Sequence, residues 1–396
     1  MAYSKLKSCL ACDSKKLRQV LNLKKQPLAN SYLTKKQSKE NKYELKVNCC
    51  LRCTHLQLSI AVDPKEIYKN YDYVSGTTNT YKKYMKKFFN LCMKNTSNLV
   101  HRNILDIGCN DGSQLDVFKL NKFKTYGVDP AKNIYRISSK KHSVLCNFFN
   151  EKVVKKLNKR FDIIISQNSF AHNPDPLSFL INAKQLMHED SSLVIQTSQA
   201  DMCSNYEFDT IYHEHINFFN IKSMNNLLNR SNLKLHDVIK DPIHGSSYLF
   251  FIKLNSDQKK IKKKIISENF LNYKYYKHWG KQCKKLANKY TKSVQNIAKK
   301  NIIVGYGAAA KANTFLNYTK IHFDAIIDDN KLKQNKFCPG SKIPIKPLTY
   351  LKKYKKDVFV VPLAWNFYKE IKKKVLRSRK KNNDKFLVFY PKFKIY

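Results

Sequence analysis

The segment FDTIYHEHINFF, residues 208–219, sets Tyr212, His213, Glu214 and His215 side by side between aromatic residues. Histidine changes charge nearest to neutral pH, so such a cluster suits either metal ligation or proton transfer. A zinc helix of the H-E-x-x-H kind needs its two histidines four apart on one helical face. Here they are two apart. An extended chain would turn His213 and His215 to one face and Tyr212 and Glu214 to the other. An acid/base centre and a hydrogen-bonded polar turn both stay open on these residues alone.

Metal ligation has a better home near the N-terminus. Of 11 cysteines, Cys9, Cys12, Cys49, Cys50 and Cys53 fall early in the chain, and the other six are scattered singly. No secretory signal is apparent at the start, so the cluster reads as metal-binding rather than disulfide-bonded. CLAC (9–12) and CLRC (50–53) are two C-x-x-C knuckles, each able to turn two thiolates to one side of a tetrahedral zinc. Cys9, Cys12, Cys50 and Cys53 are the expected ligands, with Cys49 a bystander. Four thiolates leave no open position, so the zinc is expected to be structural.

Two further units carry ligand-binding patterns. NILDIGCNDG (103–112) reads as a buried strand running into a turn with Gly108 and Gly112, followed by the start of a helix. TYGVDP then reads as a second strand ending on Asp129, about where a ribose-gripping acid stands in a doubly wound sheet. The turn is D-x-G-x-N-D-G rather than G-x-G-x-x-G. Asp106 and Asp111 would repel a pyrophosphate and suit a ligand with ammonium and sulfonium groups, which points to S-adenosylmethionine. Asn110 in the turn and Gln167, in the strand FDIIISQNS, complete the expected cofactor set with Gly108, Gly112 and Asp129. LVIQTS continues the sheet, and FAHNPD places His172 just past a strand end. Farther on, NIIVGYGAAAKANTFL (301–316) carries Gly305, Gly307 and Ala310 in a G-x-G-x-x-A pattern, with Asp328 at the place of a second ribose acid. Between these units Trp279, Cys283, Leu286, Tyr290, Val294 and Ile297 recur at spacings of three and four, the stripe of a helix packed against neighbouring domains.

At 396 residues the chain exceeds one ordinary core, and two or three domains are expected. Its 75 Lys+Arg against 29 Asp+Glu give a formal charge of +46. The lysines are spread along the whole chain rather than gathered in an arm, and Asn, Ile, Tyr and Phe are abundant too. Compositional drift with solvated faces explains this better than polyanion binding, so a nucleic-acid partner is not expected. No apolar run reaches the length of a membrane span. A cytoplasmic protein without membrane contact is expected.

Taken in order, these strings resemble the nucleotide-sugar C-methyltransferases. The resemblance runs over nearly the whole chain: the knuckles with CLRCTHLQL, IGCNDG, VDPAKNI, FAHNPD, FDTIYHEHINFF, IHGSS, GYGAAAKANTFLNY, IIDDNKLKQNKFCPGSKIPI and AWNFYKEI. It implies an α/β chain in which a class I S-adenosylmethionine domain (69–254) is flanked by a zinc-binding N-terminal domain (1–68) and by a linking helix with a Rossmann-like C-terminal domain (255–396). It also implies C-methylation of a nucleotide-linked keto-deoxysugar through an enolate, by a monomer or homodimer. His215 would be the base, Glu214 would orient it, Tyr212 and His172 would donate to sugar oxygens, and Tyr73 would close the pocket. His244, Gly307, Lys311 and Asn313 would meet the substrate, Lys311 at a diphosphate. Two positions depart from the family pattern: Ser246 stands where HGG has its second glycine, and Ala312 stands where a glycine follows the lysine. Methylation of another acceptor, a natural product or a nucleic acid, is one rival reading; an NAD(P)-dependent sugar-nucleotide oxidoreductase using the second glycine turn is the other.

Overall fold

A computed structural model describes residues 2–68, 74–77, 79–96, 98–255, 268, 270–380 and 382–396. Runs such as Asn103–Ile107 and Phe161–Gln167 are apolar on both faces, the mark of strands covered by helices on both sides. They sit in a seven-stranded sheet ordered Leu233–Asp241, Ser247–Leu254, Met187–Thr197, Phe161–Gln167, Asn103–Ile107, Lys124–Val128, Ser143–Leu145. Strand Ser247–Leu254 runs antiparallel to both neighbours. From Met187–Thr197 to Ser143–Leu145 the pairing is parallel. The chain winds from Asn103–Ile107 first to one side and later to the other. Its switch point therefore lies between Asn103–Ile107 and Phe161–Gln167, and ligands bind beyond the C-terminal ends of such strands.

Helix Asn79–Asn95 covers one face of this sheet, with Tyr84, Met85 and Phe88 packed on Ile104, Ile163 and Phe251. The other face packs against Phe179, Leu180, Leu227 and Leu228, and this core extends to the four knuckle cysteines. The cysteine-knuckle module thus rests directly on the seven-stranded sheet.

That module is a four-stranded antiparallel sheet of Leu17–Gln26, Tyr43–Cys50, Leu56–Leu58 and, from far along the chain, Asn217–Phe218. The third unit is a six-stranded sheet ordered Ile345–Lys346, Ile326–Ile327, Ile302–Tyr306, Val358–Pro362, Lys385–Val388, Lys394–Ile395, parallel except at its last pair. Its own switch point falls between Ile302–Tyr306 and Val358–Pro362. Among the described residues no helix is long and apolar enough to cross a membrane.

Helix Tyr273–Ala298 ties the units together. Asn272 caps it by accepting from the Tyr275 amide at 3.0 Å. The stripe read from the sequence is its buried side: Trp279, Cys283, Tyr290 and Val294 share one core with Leu21 and Val47 of the N-terminal sheet and with Phe315 and Phe389 of the C-terminal unit. Trp279 is fully buried. Removing on the order of 200 Å² of aromatic surface from water contributes roughly 5 kcal/mol before entropy is counted.

Contact is closest at Gly280. A Cβ there would lie 1.9 Å from the Val20 carbonyl oxygen, so helix and strand meet only because that side chain is missing. Gly280→Val should lower stability by about 3 kcal/mol, the upper end for overpacking, because backbone must yield. Urea denaturation of the variant checks this; an unchanged midpoint would show that the helix does not seat on the N-terminal sheet.

Candidate active site

The two switch points open into one cavity of about 400 Å³. Gly108, Asn110, Asp129 and Gln167 line it from the methyltransferase sheet, Ala309, Ala310 and Lys311 from the C-terminal sheet, and Asn30 from the N-terminal module. His172, Tyr212, Glu214, His215 and His244 line it too. All three modules build the site.

At the first strand end Gly108 has φ +83° and leaves no room for a side chain, since a Cβ would come 2.5 Å from Ser169 Cβ. The Ser169 hydroxyl donates to the Ile107 carbonyl at 2.7 Å and fixes this crossing. Asp129 accepts from the amides of Asn110 and Ala131, both at 2.9 Å. Burial raises its carboxyl above the usual range, and those two amides pull it back. Asp106 is buried with Oδ1 unpartnered, and burial with the nearby Asp129 and Asp111 charges pushes its pKa well up. Buried acids beside one another at this strand end suit a ligand with a positive charge, and of the two Asp129 lines the cavity. Gln167 reaches the cavity with its amide donating to Gln196 at 3.0 Å. Asp111 does something else: it accepts from the amides of Gly76 at 2.9 Å and Ser113 at 3.1 Å, pinning the 75–77 turn over the site. Gly112, φ +79°, starts the following helix away from the cavity wall.

The YHEH segment is a turn, closed by the His215 amide donating to the Tyr212 carbonyl at 2.9 Å. It splits the four side chains by role. His213 leaves the site, with Nε2 3.3 Å from the Glu44 carbonyl and its ring edge-on to Tyr43. Glu214 accepts from Asn30 at 2.7 Å. His215 Nδ1 lies 2.8 Å from the Thr210 carbonyl, which can only accept, so Nδ1 carries the proton. The neutral ring therefore offers its Nε2 lone pair, and the Tyr212 hydroxyl donates to it at 2.6 Å. Gln199 stands 3.2 Å from Nδ1 with its Oε1 unpartnered; turning its amide over would give that proton a second acceptor. Burial, helped by the nearby His172 and Lys311, holds His215 well below the ordinary histidine range, so it is neutral at pH 7.

His172 stands with its ring centroid 5.2 Å from that of His215. Tyr68 pairs with its Nδ1 at 3.0 Å and its Nε2 has no partner. Tyr68 donating to Nδ1 would leave the ring proton on Nε2. Tyr73 lies outside the described residues. His244 has φ +57°, its ring packed 5.2 Å from Tyr81 and its Nε2 unpartnered.

The C-terminal turn places its residues unevenly. Gly307, φ +95°, packs where a Cβ would come 2.7 Å from Ala364 Cβ, behind the cavity wall. Asn313 is buried and donates to the Ala29 carbonyl at 2.6 Å, so it holds the loop that presents Asn30 to Glu214. Asp328 accepts from the amides of Ala308 at 2.7 Å and Asn330 at 2.8 Å, which engages both its oxygens on the chain's own backbone. Sequence reasoning missed Asn30, Tyr68, Gln199 and Lys333; the first two find their partners, Glu214 and His172, in another module, and the last two, His215 and Ala308, within their own.

The four knuckle sulfurs lie within 4.8 Å of one another, with Cys9 to Cys53 at 3.5 Å and Cys12 to Cys50 at 3.6 Å. Zinc–sulfur bonds of about 2.3 Å place tetrahedral sulfurs roughly 3.8 Å apart, so the set fits a structural zinc. Cys49 points into the other core.

Three family models match successive parts of the chain. Residues 9–68 match a family model described as a zinc binding domain. Residues 78–238 match a methyltransferase domain and 242–391 a C-methyltransferase C-terminal domain. The curated C-methyltransferase NovU of Streptomyces niveus is 24% identical over 383 residues, covering 92% of this chain and 90% of that protein. Among solved structures, a S-adenosylmethionine-dependent methyltransferase from Clostridium acetobutylicum is 16% identical, covers 44% of this chain and 92% of its own, and has a TM-score of 0.36. Magnesium protoporphyrin IX methyltransferase from Synechocystis with bound S-adenosylmethionine is 11% identical, covers 46% and 87%, and has a TM-score of 0.34.

The buried histidines make acid a specific threat. Burial pushes His172, His213 and His244 each down to about 4. In the unfolded chain a histidine takes its proton near pH 6.5, so between these values the unfolded state binds more protons. The stability they contribute is whole above about pH 6.5 and is lost as pH falls toward about 4. The urea midpoint should be flat from pH 8 to 7 and fall steeply below 6; a flat profile down to pH 5 would contradict the burial of these rings.

Proposed function

We propose that this chain, a S-adenosylmethionine-dependent C-methyltransferase with a structural zinc module, methylates a carbon beside the ketone of a nucleotide-linked keto-deoxysugar. The observation that carries the reading is the tautomer of His215: its proton is committed to Thr210, and its free lone pair is held by Tyr212 in the cavity that the cofactor turn also lines. When bound, the cofactor supplies an electrophilic methyl group. The chain must supply a nucleophilic carbon to meet it.

In this reading Tyr212 shifts its hydrogen bond from Nε2 to the sugar's carbonyl oxygen. Nε2 is then free to take the proton from the adjacent carbon, and the enolate charge gathers on an oxygen facing Tyr212 and the Nε2 proton of His172. The imidazolium that forms keeps its Nδ1 proton on Thr210, and the carboxyl of Glu214, fixed by Asn30, orients the turn beside it. Burial excludes water that would reprotonate the enolate.

His215→Ala should lower transfer of label from S-adenosylmethionine to a panel of nucleotide-linked 4-keto sugars by about 100- to 10,000-fold, the usual worth of a general base. Calorimetry should find S-adenosylmethionine binding unchanged. Because burial depresses this histidine, kcat/KM in the parent should hold level as pH drops from 8 to 6.5, with its acid limb lower still. Full turnover by the variant would remove His215 from the mechanism.

A further inference from the structure

We infer that Lys333 is the group that receives the diphosphate of the nucleotide-linked substrate. This rests on the substrate class proposed above and goes beyond it, because the sequence directs attention to Lys311 instead. The two lysines both line the cavity. Their surroundings differ.

Lys311 already has its counter-charge. Its ammonium lies 3.7 Å from Glu207, whose side chain is buried, and 5.0 Å over the Trp365 ring. Trp365 donates in turn to Asp209, a second buried acid; burial raises its pKa, and the Lys311 charge and the Trp365 hydrogen bond oppose that rise. With Glu207 and Asp209 beside it, the positive charge of Lys311 is spent within the protein.

Lys333 has no such partner. Only 7% of it is exposed, its ammonium donates to the Ala308 carbonyl at 2.8 Å, and it lies 5.0 Å over the Tyr32 ring. Among the described residues it forms no ion pair. A carbonyl and a ring face stabilise an ammonium, but neither carries a full negative charge to pair with it. An anion entering the cavity would supply the missing charge.

The backbone beside Lys333 is prepared for the same visitor. Helix Ala310–Thr319 begins at Ala309, which is extended and has no side-chain cap, so the first amides of the helix have no acceptor from a capping side chain. Ala309 and Ala310 line the cavity with methyl groups only, which lets phosphate oxygens approach those amides closely. The turn before the helix is held from three sides: Asp328 takes the Ala308 amide, while Tyr32, at 2.6 Å, and Lys333 take its carbonyl. Ammonium and helix start therefore keep a fixed relation to each other before any ligand arrives.

The test uses the full chain with zinc and saturating S-adenosylhomocysteine, and two variants. Lys333→Gln keeps a donor for the Ala308 carbonyl and removes the charge; Lys333→Met removes both. Calorimetry would compare thymidine, uridine, cytidine and guanosine diphosphates with the corresponding nucleosides. The parent should prefer one diphosphate over its nucleoside. Lys333→Gln should lose at least 10-fold in affinity for that diphosphate, with the nucleoside and S-adenosylhomocysteine bound as before. If Lys333→Gln keeps the diphosphate within twofold, the assignment to Lys333 is overturned while the substrate class stands. If the parent binds no nucleoside diphosphate and methylates no nucleotide-linked keto sugar, the substrate class itself fails, and the inference with it. Equal loss of diphosphate, nucleoside and S-adenosylhomocysteine in both variants would make Lys333 a structural prop and would also overturn it.

Discussion

Two residues of strand hold the site together. Asn217 and Phe218 leave the YHEH turn and pair antiparallel with Gln57 and Leu56 of the zinc module. The Ile216 amide at the same point donates to the Ala171 carbonyl at 3.0 Å, next to His172. Asn217 completes the junction with its side chain: its amide donates to the Asn173 carbonyl at 2.7 Å, and His55 meets its oxygen at 3.1 Å. The two histidine-bearing segments and the zinc module are therefore registered against one another by this short strand, with the buried Asn217 side chain reaching all three. A one-residue slip of this strand would turn every side chain to the opposite face.

This gives the metal a task at a distance. Gln57 pairs with Asn217 through its backbone while its side chain accepts from the Leu10 amide at 2.8 Å, in the first knuckle, and donates to the Ser8 carbonyl at 2.9 Å, just before it. Arg230, at the end of the helix that follows the YHEH strand, donates to the Ala11 carbonyl at 3.1 Å. A tetrathiolate zinc has no vacancy for substrate, yet it fixes the knuckle that the Gln57 side chain grips, while the Gln57 backbone pairs with the strand leaving the YHEH turn. Outer partners of this kind decide whether a catalytic group is held to a fraction of an ångström or left loose.

The sequence was legible wherever the chemistry of a residue is settled by its near neighbours. Cysteine spacing fixed the knuckles, because two residues of turn are enough to face both sulfurs the same way. The glycine turn and Asp129 were readable for the same reason, as was the apolar stripe of helix Tyr273–Ala298. The unusual spacing of YHEH excluded a zinc helix correctly but could not say which way each side chain would point. Legibility ended where partners come from afar. Asn30 and Glu214 are 184 residues apart, and nothing in either neighbourhood announces their bond. Asp111 looks like a site residue in the string that contains it, yet both its oxygens accept from backbone amides, and the Asn313 amide likewise goes to the Ala29 carbonyl. Conversely Lys333 is one lysine in a chain full of them, and only burial sets it apart.

The two glycine turns show how one device serves opposite charges. In each unit the acid after the second strand grips its own turn: Asp129 accepts from Asn110 and from Ala131 two residues on, and Asp328 accepts from Ala308 and from Asn330 two residues on. The acid is thus first a brace for the turn. Its second use depends on what stands next to it. Behind Asp129, which lines the cavity, stands the buried Asp106, and burial with the charges of Asp129 and Asp111 raises its pKa, a strain that a cation nearby would relieve. Beside Asp328 the turn's carbonyl carries Lys333, and the following helix begins without a cap, so the field favours an anion. A cavity lined from both turns has an acidic end and a basic end, and a substrate with a negative tail can enter in only one sense. That polarity would bring the sugar, rather than the nucleotide, to His215.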